Sequence, residues 1–269
     1  MKKPILLLVI FIGFISCEDV IDVNLPKAEP KLVIDASINW FKGTLGNEQE
    51  IKLTLSAPFF NTNIPPANNA KVQITDAQNT IYNFIEDATT GVYKNTNFKP
   101  VIHETYRLTV IYNDETYTAE ETLKPVNSIN RIEQNKGGGF SGEDIEIKSY
   151  FEDPISEENF YLIEFINDIT NIPSIDFFSD EFINGNEIFA YYSDEDLSAG
   201  NEVNIKIHGV SERFYEFVFI LSQQAESEGP FQTQPATVKG NCINTTTSEN
   251  FPLGYFRLSE VDQFIYVIQ

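Results

Sequence analysis

From Lys31 to Pro125 the apolar residues return at every second position in short runs. Ile51, Leu53 and Leu55 are flanked by polar neighbours, and Ala70, Val72 and Ile74 alternate with Lys71, Gln73 and Thr75. A period of two sets one face of an extended strand against a core and the other in water, whereas a helix needs a period of 3.6. Leu32-Val33-Ile34, Ile81 to Ile85, Val92-Tyr93, Tyr106-Leu108-Val110-Tyr112 and Thr116 to Leu123 continue the series, with Asn113-Asp114-Glu115 supplying a tight turn between the last two. Seven such strands predict an immunoglobulin-like β-sandwich over residues 31–125, able to fold without the rest.

Residues 127–269 predict a second β-rich domain. Strand-like runs lie at Ile145 to Phe151, Phe160 to Ile166, Ile188 to Tyr192 and Val203 to Ile207, and a final pair at Leu253 to Leu258 and Phe264 to Ile268. A helix is expected near 211–226: Ser211 is the N-cap, Glu212 suits the positive end, and Phe214, Phe217, Val218, Leu221 and Ala225 recur at helical spacing before Gly229-Pro230. Tyr215 and Phe219 make a second face apolar, so the helix is expected to be packed on both sides. The fold class is therefore mostly β, with 22 Phe and 12 Tyr to fill two cores.

The first residues carry a different signal. Lys2 and Lys3 precede an apolar run from Ile5 to Ile15, and Ser16 stands immediately before Cys17. The run is shorter than the ~20 apolar residues that span a hydrocarbon core, so residues 1–16 read as a lipoprotein signal peptide and Cys17 as the lipidated N-terminus. An ordinary secretory cleavage site is the alternative. Residues 17–30, acidic and ending in Pro26 and Pro30, read as a tether. Loss of the first 16 residues removes two lysines and no acid, leaving 16 basic against 40 acidic side chains and a formal charge of −24, which argues against nucleic acid as a partner. With Cys17 consumed, Cys242 has no partner for a disulfide and reads as a small buried hydrophobe.

Several segments together resemble a family of Bacteroidota outer-membrane lipoproteins described only as a domain of unknown function (domain of unknown function 4249). They are Cys17-Glu18-Asp19-Val20-Ile21-Asp22-Val23 with Pro30-Lys31-Leu32-Val33-Ile34-Asp35-Ala36, Phe151-Glu152-Asp153-Pro154 with Glu158-Asn159-Phe160-Tyr161, and Lys239-Gly240-Asn241 with Pro252-Leu253-Gly254-Tyr255-Phe256. The resemblance implies a two-part β-rich lipoprotein of the cell outer membrane, often encoded beside TonB-dependent transporters, and it carries over no catalytic residue. Glu18, Asp19 and Asp22 resemble the acidic export signal that places such proteins on the cell surface.

A search for chemistry finds no catalytic set, and no cofactor or metal site is expected. Gly137-Gly138-Gly139-Phe140-Ser141-Gly142 lacks a following Gly-Lys-Ser/Thr and has Glu143-Asp144 beside it, so it reads as a hairpin loop and not a phosphate cradle. His103 and His208 stand outside any His-Glu-x-x-His spacing, and Asp194, Glu195 and Asp196 lack the ordered calcium-loop pattern. Two loops are expected to touch a partner: Asn61 to Asn69, and Ile172 to Asn186, whose Phe177, Phe178 and Phe182 are the candidate partner-binding residues. The favoured reading is an accessory lipoprotein docking on an outer-membrane protein such as a TonB-dependent transporter, held to the membrane by its lipid anchor. A lipoprotein that captures a peptide or glycan, and a hydrolase, are the alternatives.

Overall fold

The computed structural model describes residues 29–58, 61, 63–139, 142–225 and 237–269. The signal peptide at 1–16, Cys17 and all but the last two residues of the tether lie outside the described residues, as do Phe140 and Ser141 of the glycine-rich run and Thr62. No helix among the described residues is long and apolar enough to cross a membrane.

The seven expected strands are β1 (Leu32–Phe41), β2 (Gln49–Leu55), β3 (Lys71–Thr75), β4 (Ile81–Glu86), β5 (Val92–Asn95), β6 (Thr105–Tyr112) and β7 (Glu115–Thr122). Their order, β1-β2-β5 turning through a two-residue β5–β4 pairing into β4-β3-β6-β7, is that of an immunoglobulin-like sandwich. Alternate residues Ile34, Ile38, Ile51, Leu53, Ile74 and Val110 point between the sheets and are buried. Tyr106, near the start of β6, donates its hydroxyl to the Lys99 carbonyl (3.0 Å) and accepts the Val101 N–H (2.9 Å), pinning the chain where it enters that strand. Asn113 and Asp114 both take positive φ (48° and 62°), as a two-residue hairpin turn requires for its twist to match the strands.

The second unit contains β8 (Ile129–Gly138), β9 (Asp144–Glu152), β10 (Phe160–Asn167), β11 (Pro173–Ser179), β12 (Glu187–Asp194), β13 (Glu202–Val210), α1 (Glu212–Ala225), β14 (Ile243–Asn244) and β15 (Leu253–Val267). A three-stranded sheet, β12-β9-β8, packs its Ile147, Phe151 and Ile188 against Tyr161, Ile163, Phe165, Ile205 and Ile207 of the larger sheet. Helix α1 lies on the opposite face of that larger sheet. Ser211 caps it, its Oγ accepting the Phe214 N–H at 3.2 Å, and Phe214 is buried with Leu162, Val210 and Tyr255.

Three expectations change. The final strand pair is one fifteen-residue strand, β15, because the polar stretch between its apolar ends is satisfied in place. Glu260 accepts the Val126 N–H (3.0 Å) and meets Lys42 (2.8 Å), and Asp262 accepts the Ile129 N–H (2.8 Å). The segment Ile172 to Asn186 is not one long loop: its first half is β11, paired with β10, and only the second half is turn. Helix α1 packs Phe214, Tyr215, Phe217 and Val218 on the sheet, but its packing is incomplete, since Phe219, Ile220 and Leu221 are exposed.

Strand β15 also ties the two units together. Its first half pairs in parallel with β1, from Val33↔Leu253 to Phe41↔Val261, and its second half pairs antiparallel with β13. Phe256, Leu258 and Cys242 thereby enter the core of the first sandwich, and β14 extends that sandwich beyond β7. The seven strands of residues 31–125 therefore share their core with residues far beyond 125.

Candidate functional site: an apolar edge and a buried polar junction

Among the described residues, strand β11 is an outer strand of the large sheet, paired through β10 on one side only. Its side chains alternate, so the three candidate phenylalanines part company. Phe178 faces the inter-sheet core and lies 5.4 Å from the Tyr161 ring and 6.2 Å from that of Phe151. Phe177 faces α1, 5.8 Å from Tyr215 and 6.4 Å from Phe219. Phe182 sits in the following turn and is 90% exposed. Phe178 is thus a core residue, Phe177 a bridge to the helix, and Phe182 a free side chain.

Around them the apolar surface continues. Ile175 shares Phe177's face of β11 and is more than half exposed, Ile172 precedes the strand and is exposed, and Phe219 and Ile220 present the open side of α1. Tyr215, Glu216, Phe219 and Ile220 line a shallow groove of about 360 Å³. Single exposed apolar residues are ordinary on a soluble surface, but a run of them beside an unpaired strand edge is the surface that proteins otherwise cover or charge. Sequence reading found the aromatics of this segment and the apolar Tyr215 and Phe219 face of the helix, which it expected to be packed, but not Ile175, because an edge strand exposed on its last apolar positions carries no clean alternation.

The other predicted loop folds back on the first sandwich. Pro65 accepts the Leu55 N–H (2.8 Å), Pro66 bridges to Thr54, and Ala67 is buried. That leaves Ile64 and Pro66 along a groove of about 380 Å³ shared with Val33, Asp35, Lys52, Thr54 and Thr90.

A second constellation lies where the two units join, on the face of the sheet that carries α1. Arg257 of β15 is fully enclosed, and its guanidinium meets only neutral acceptors: Ser259 Oγ (2.6 Å), Asn39 Oδ1 (3.1 Å) and His208 Nδ1 (3.2 Å). Its cationic carbon also stands 5.2 Å from the centroid of the Phe214 ring. Burial lowers the Arg257 pKa to about 10, which leaves it charged at neutral pH. Because a guanidinium only donates, His208 Nδ1 must accept, which places the ring proton on Nε2. That Nε2–H has no well-aligned partner; Glu164 Oε1 is nearest, at 3.4 Å. Burial pushes the His208 pKa down to about 4. The neighbouring His208 and then the Lys206 ammonium (3.2 Å) hold the Glu164 carboxyl at about 2. With His208 itself neutral near pH 7, Lys206 and the Arg257 guanidinium are positive charges that act on Glu164 there.

Enclosed in this way, His208, Arg257 and Ser259 offer no open position to a substrate, and their geometry is that of a polar fastening between β10, β13, β15 and β1. His103 sits apart on an exposed turn with φ 63°. Cys242 is buried beside Asn241, and burial raises its thiol pKa to about 12, so it is not a thiolate. Asp194 is occupied within the fold: Oδ2 accepts from Tyr192 (3.0 Å) and Asn167 (3.1 Å), and Oδ1 from the Asp196 N–H (3.0 Å). No group of three or more His, Cys, Asp or Glu placed to hold a metal occurs among the described residues.

Two of the segments that carried the family resemblance, residues 239–241 and 252–256, prove to be packing devices. Asn241 imitates a strand: its Nδ2 donates to the Phe256 carbonyl (2.7 Å) and its Oδ1 accepts the Phe256 N–H (2.9 Å). Gly254 has φ 90°, and a Cβ there would lie 2.1 Å from the Ile34 carbonyl oxygen. A Cβ on Gly240 would lie 1.7 Å from that of Gly254. Both glycines let the backbones of β1, β15 and the 240 segment approach in contact.

A profile of the family described as Domain of unknown function (DUF4249) matches residues 18–265. No curated protein matches the chain. Among solved structures, a two fibronectin type-III domain segment of chicken tenascin is 12% identical, covering 68% of this chain and 91% of that one, with a TM-score of 0.22. A DUF4785 family protein from Legionella pneumophila is 8% identical, covering 66% of this chain and 52% of that one, with a TM-score of 0.28. A cytokine receptor complex chain is 6% identical, covering 66% and 83%, with a TM-score of 0.24.

Proposed function

Since the chain belongs to the DUF4249 family, whose description assigns no activity, its role has to be argued from its own geometry, and we propose that it is an accessory lipoprotein. In this reading Cys17 anchors it to the outer membrane, on the cell surface, and it docks on another outer-membrane protein, a TonB-dependent transporter or a similar complex. The observation that carries the reading is the set of exposed apolar side chains Ile172, Ile175, Phe182, Phe219 and Ile220 on and around β11, whose outer edge is unpaired among the described residues. A partner gains apolar burial there and can add main-chain hydrogen bonds along the strand edge. A tether of 14 residues reaches at most roughly 45 Å, enough to set this edge against a neighbour in the same membrane.

The test is affinity purification of the full chain from solubilised outer membranes, which should recover a transporter or assembly component in near-equal amount. Phe182→Ser should weaken that recovery, because an exposed aromatic anchor contributes about 2 kcal/mol or more, roughly thirtyfold in affinity, while the melting temperature stays unchanged. Phe178→Ser is not a suitable probe, since it empties the core. Purification of the chain alone, with a soluble peptide or glycan raising its melting temperature, would replace docking with ligand capture.

A further inference from the structure

Asp180 follows β11, and its carboxylate is closed off from solvent with no donor on either oxygen among the described residues, the Asp153 carboxyl being its side-chain neighbour. Its backbone N–H donates to the Asn159 carbonyl at 3.1 Å, bringing the two residues together. The side-chain oxygen of Asn159 is likewise buried with no donor. Asp153 completes the group. It is 6% exposed, its Oδ1 accepts the Tyr161 hydroxyl and its Oδ2 accepts the Gly185 N–H at 2.8 Å, leaving further lone pairs on both oxygens. The charged neighbours acting on Asp180 are Asp153 and Glu158, both acidic.

Three buried acceptor atoms without a donor, in a field of like charge, are costly. Each unpaired polar atom costs about 1–3 kcal/mol, and a charged one more. Folded proteins resolve such a set with a proton or a cation. The Asp194 cluster shows the contrast, since donors from the chain already fill both of its oxygens.

We propose that Asp153, Asp180 and the side-chain oxygen of Asn159 bind a hard divalent cation, calcium. The donors are all oxygen, with no nitrogen or sulfur to favour zinc or copper. They come from two separate turns in an irregular arrangement, which calcium tolerates and magnesium, with its strict octahedron, does not. Water and main-chain carbonyls complete the coordination. Two carboxylates and one carboxamide make a site of the weak, roughly 10⁻⁴–10⁻³ M class. The ion would pin the turn of residues 180–186 to that of residues 153–159, which also meet through Asp153 N–H to the Asn186 carbonyl (3.1 Å) and Asn184 Nδ2 to the Glu157 carbonyl (3.3 Å).

The rival occupant is a proton shared between the two carboxyls. Burial raises the Asp180 pKa, so a protonated Asp180 would stabilise the fold at low pH and that contribution would be lost as pH rises. Thermal melts of the full chain in 5 mM calcium chloride and in 5 mM EGTA, across pH 5–8, separate the two. The cation predicts a higher melting temperature in calcium than in EGTA at pH 8, a difference that shrinks toward pH 5, and at least a tenfold weaker calcium response in Asp180→Asn. A wild-type melt indifferent to calcium overturns the proposal and leaves the shared proton. A response retained in full by Asp180→Asn also overturns it, by placing the ion elsewhere. If Asp180→Asn fails to fold, Asn159→Ala supplies the same reading.

Discussion

Cutting the chain at Pro125 tests how far the first sandwich depends on the second half. Residues 31–125 retain all seven strands but lose Phe256, Leu258 and Cys242, which are 0%, 1% and 6% exposed within the same core. Burial of one Phe or Leu side chain contributes about 1.5–3 kcal/mol, so those two alone remove about 3–6 kcal/mol. Strand β1 also loses its parallel partner along nine registered residues, leaving a bare central edge. A domain of this size has a net stability of about 5–14 kcal/mol, so the loss consumes most or all of it. The fragment should show strand-like far-ultraviolet circular dichroism with weak near-ultraviolet signal and no sharp urea transition. Phe256→Ala in the full chain should cost about 3–5 kcal/mol in the same titration. A fragment that unfolds in one cooperative step, within about 2 kcal/mol of the full chain, would refute the claim that β15 belongs to the first core.

Gly254→Ala should destabilise the chain by about 3 kcal/mol or prevent folding, because the added Cβ meets the Ile34 carbonyl and takes a positive φ; a melting temperature within two degrees of the parent would contradict the close approach of β1 and β15. The fold should weaken as pH falls from about 6.5 to about 4: the folded chain keeps His208 neutral there while the unfolded chain protonates it, a loss reaching about 3 kcal/mol at the lower end. His208→Gln should flatten that slope in urea titrations, and an unchanged slope would assign the acid sensitivity to other groups.

Much of the architecture was legible in the residues themselves. Two-residue alternation located all seven strands of the first sandwich, and Ser211 with the spacing of Phe214, Phe217 and Val218 placed the helix, because a half-buried strand or a capped helix writes its own burial pattern locally. What burial pattern could not show was pairing between distant segments. Glu260 and Asp262 fall in the gap between the two expected strands, yet they accept the N–H groups of Val126 and of Ile129 at the start of β8, so β15 runs unbroken through both units. Phe177, Phe178 and Phe182 look equivalent in sequence. Strand parity on β11 sends one to the helix and one into the core, and the turn leaves the third in solvent. The same holds for chemistry: Asp153, Asn159 and Asp180 are ordinary members of an acidic chain until β10 and β11 pair and close their oxygens away from water, where an unpaired charge first becomes costly.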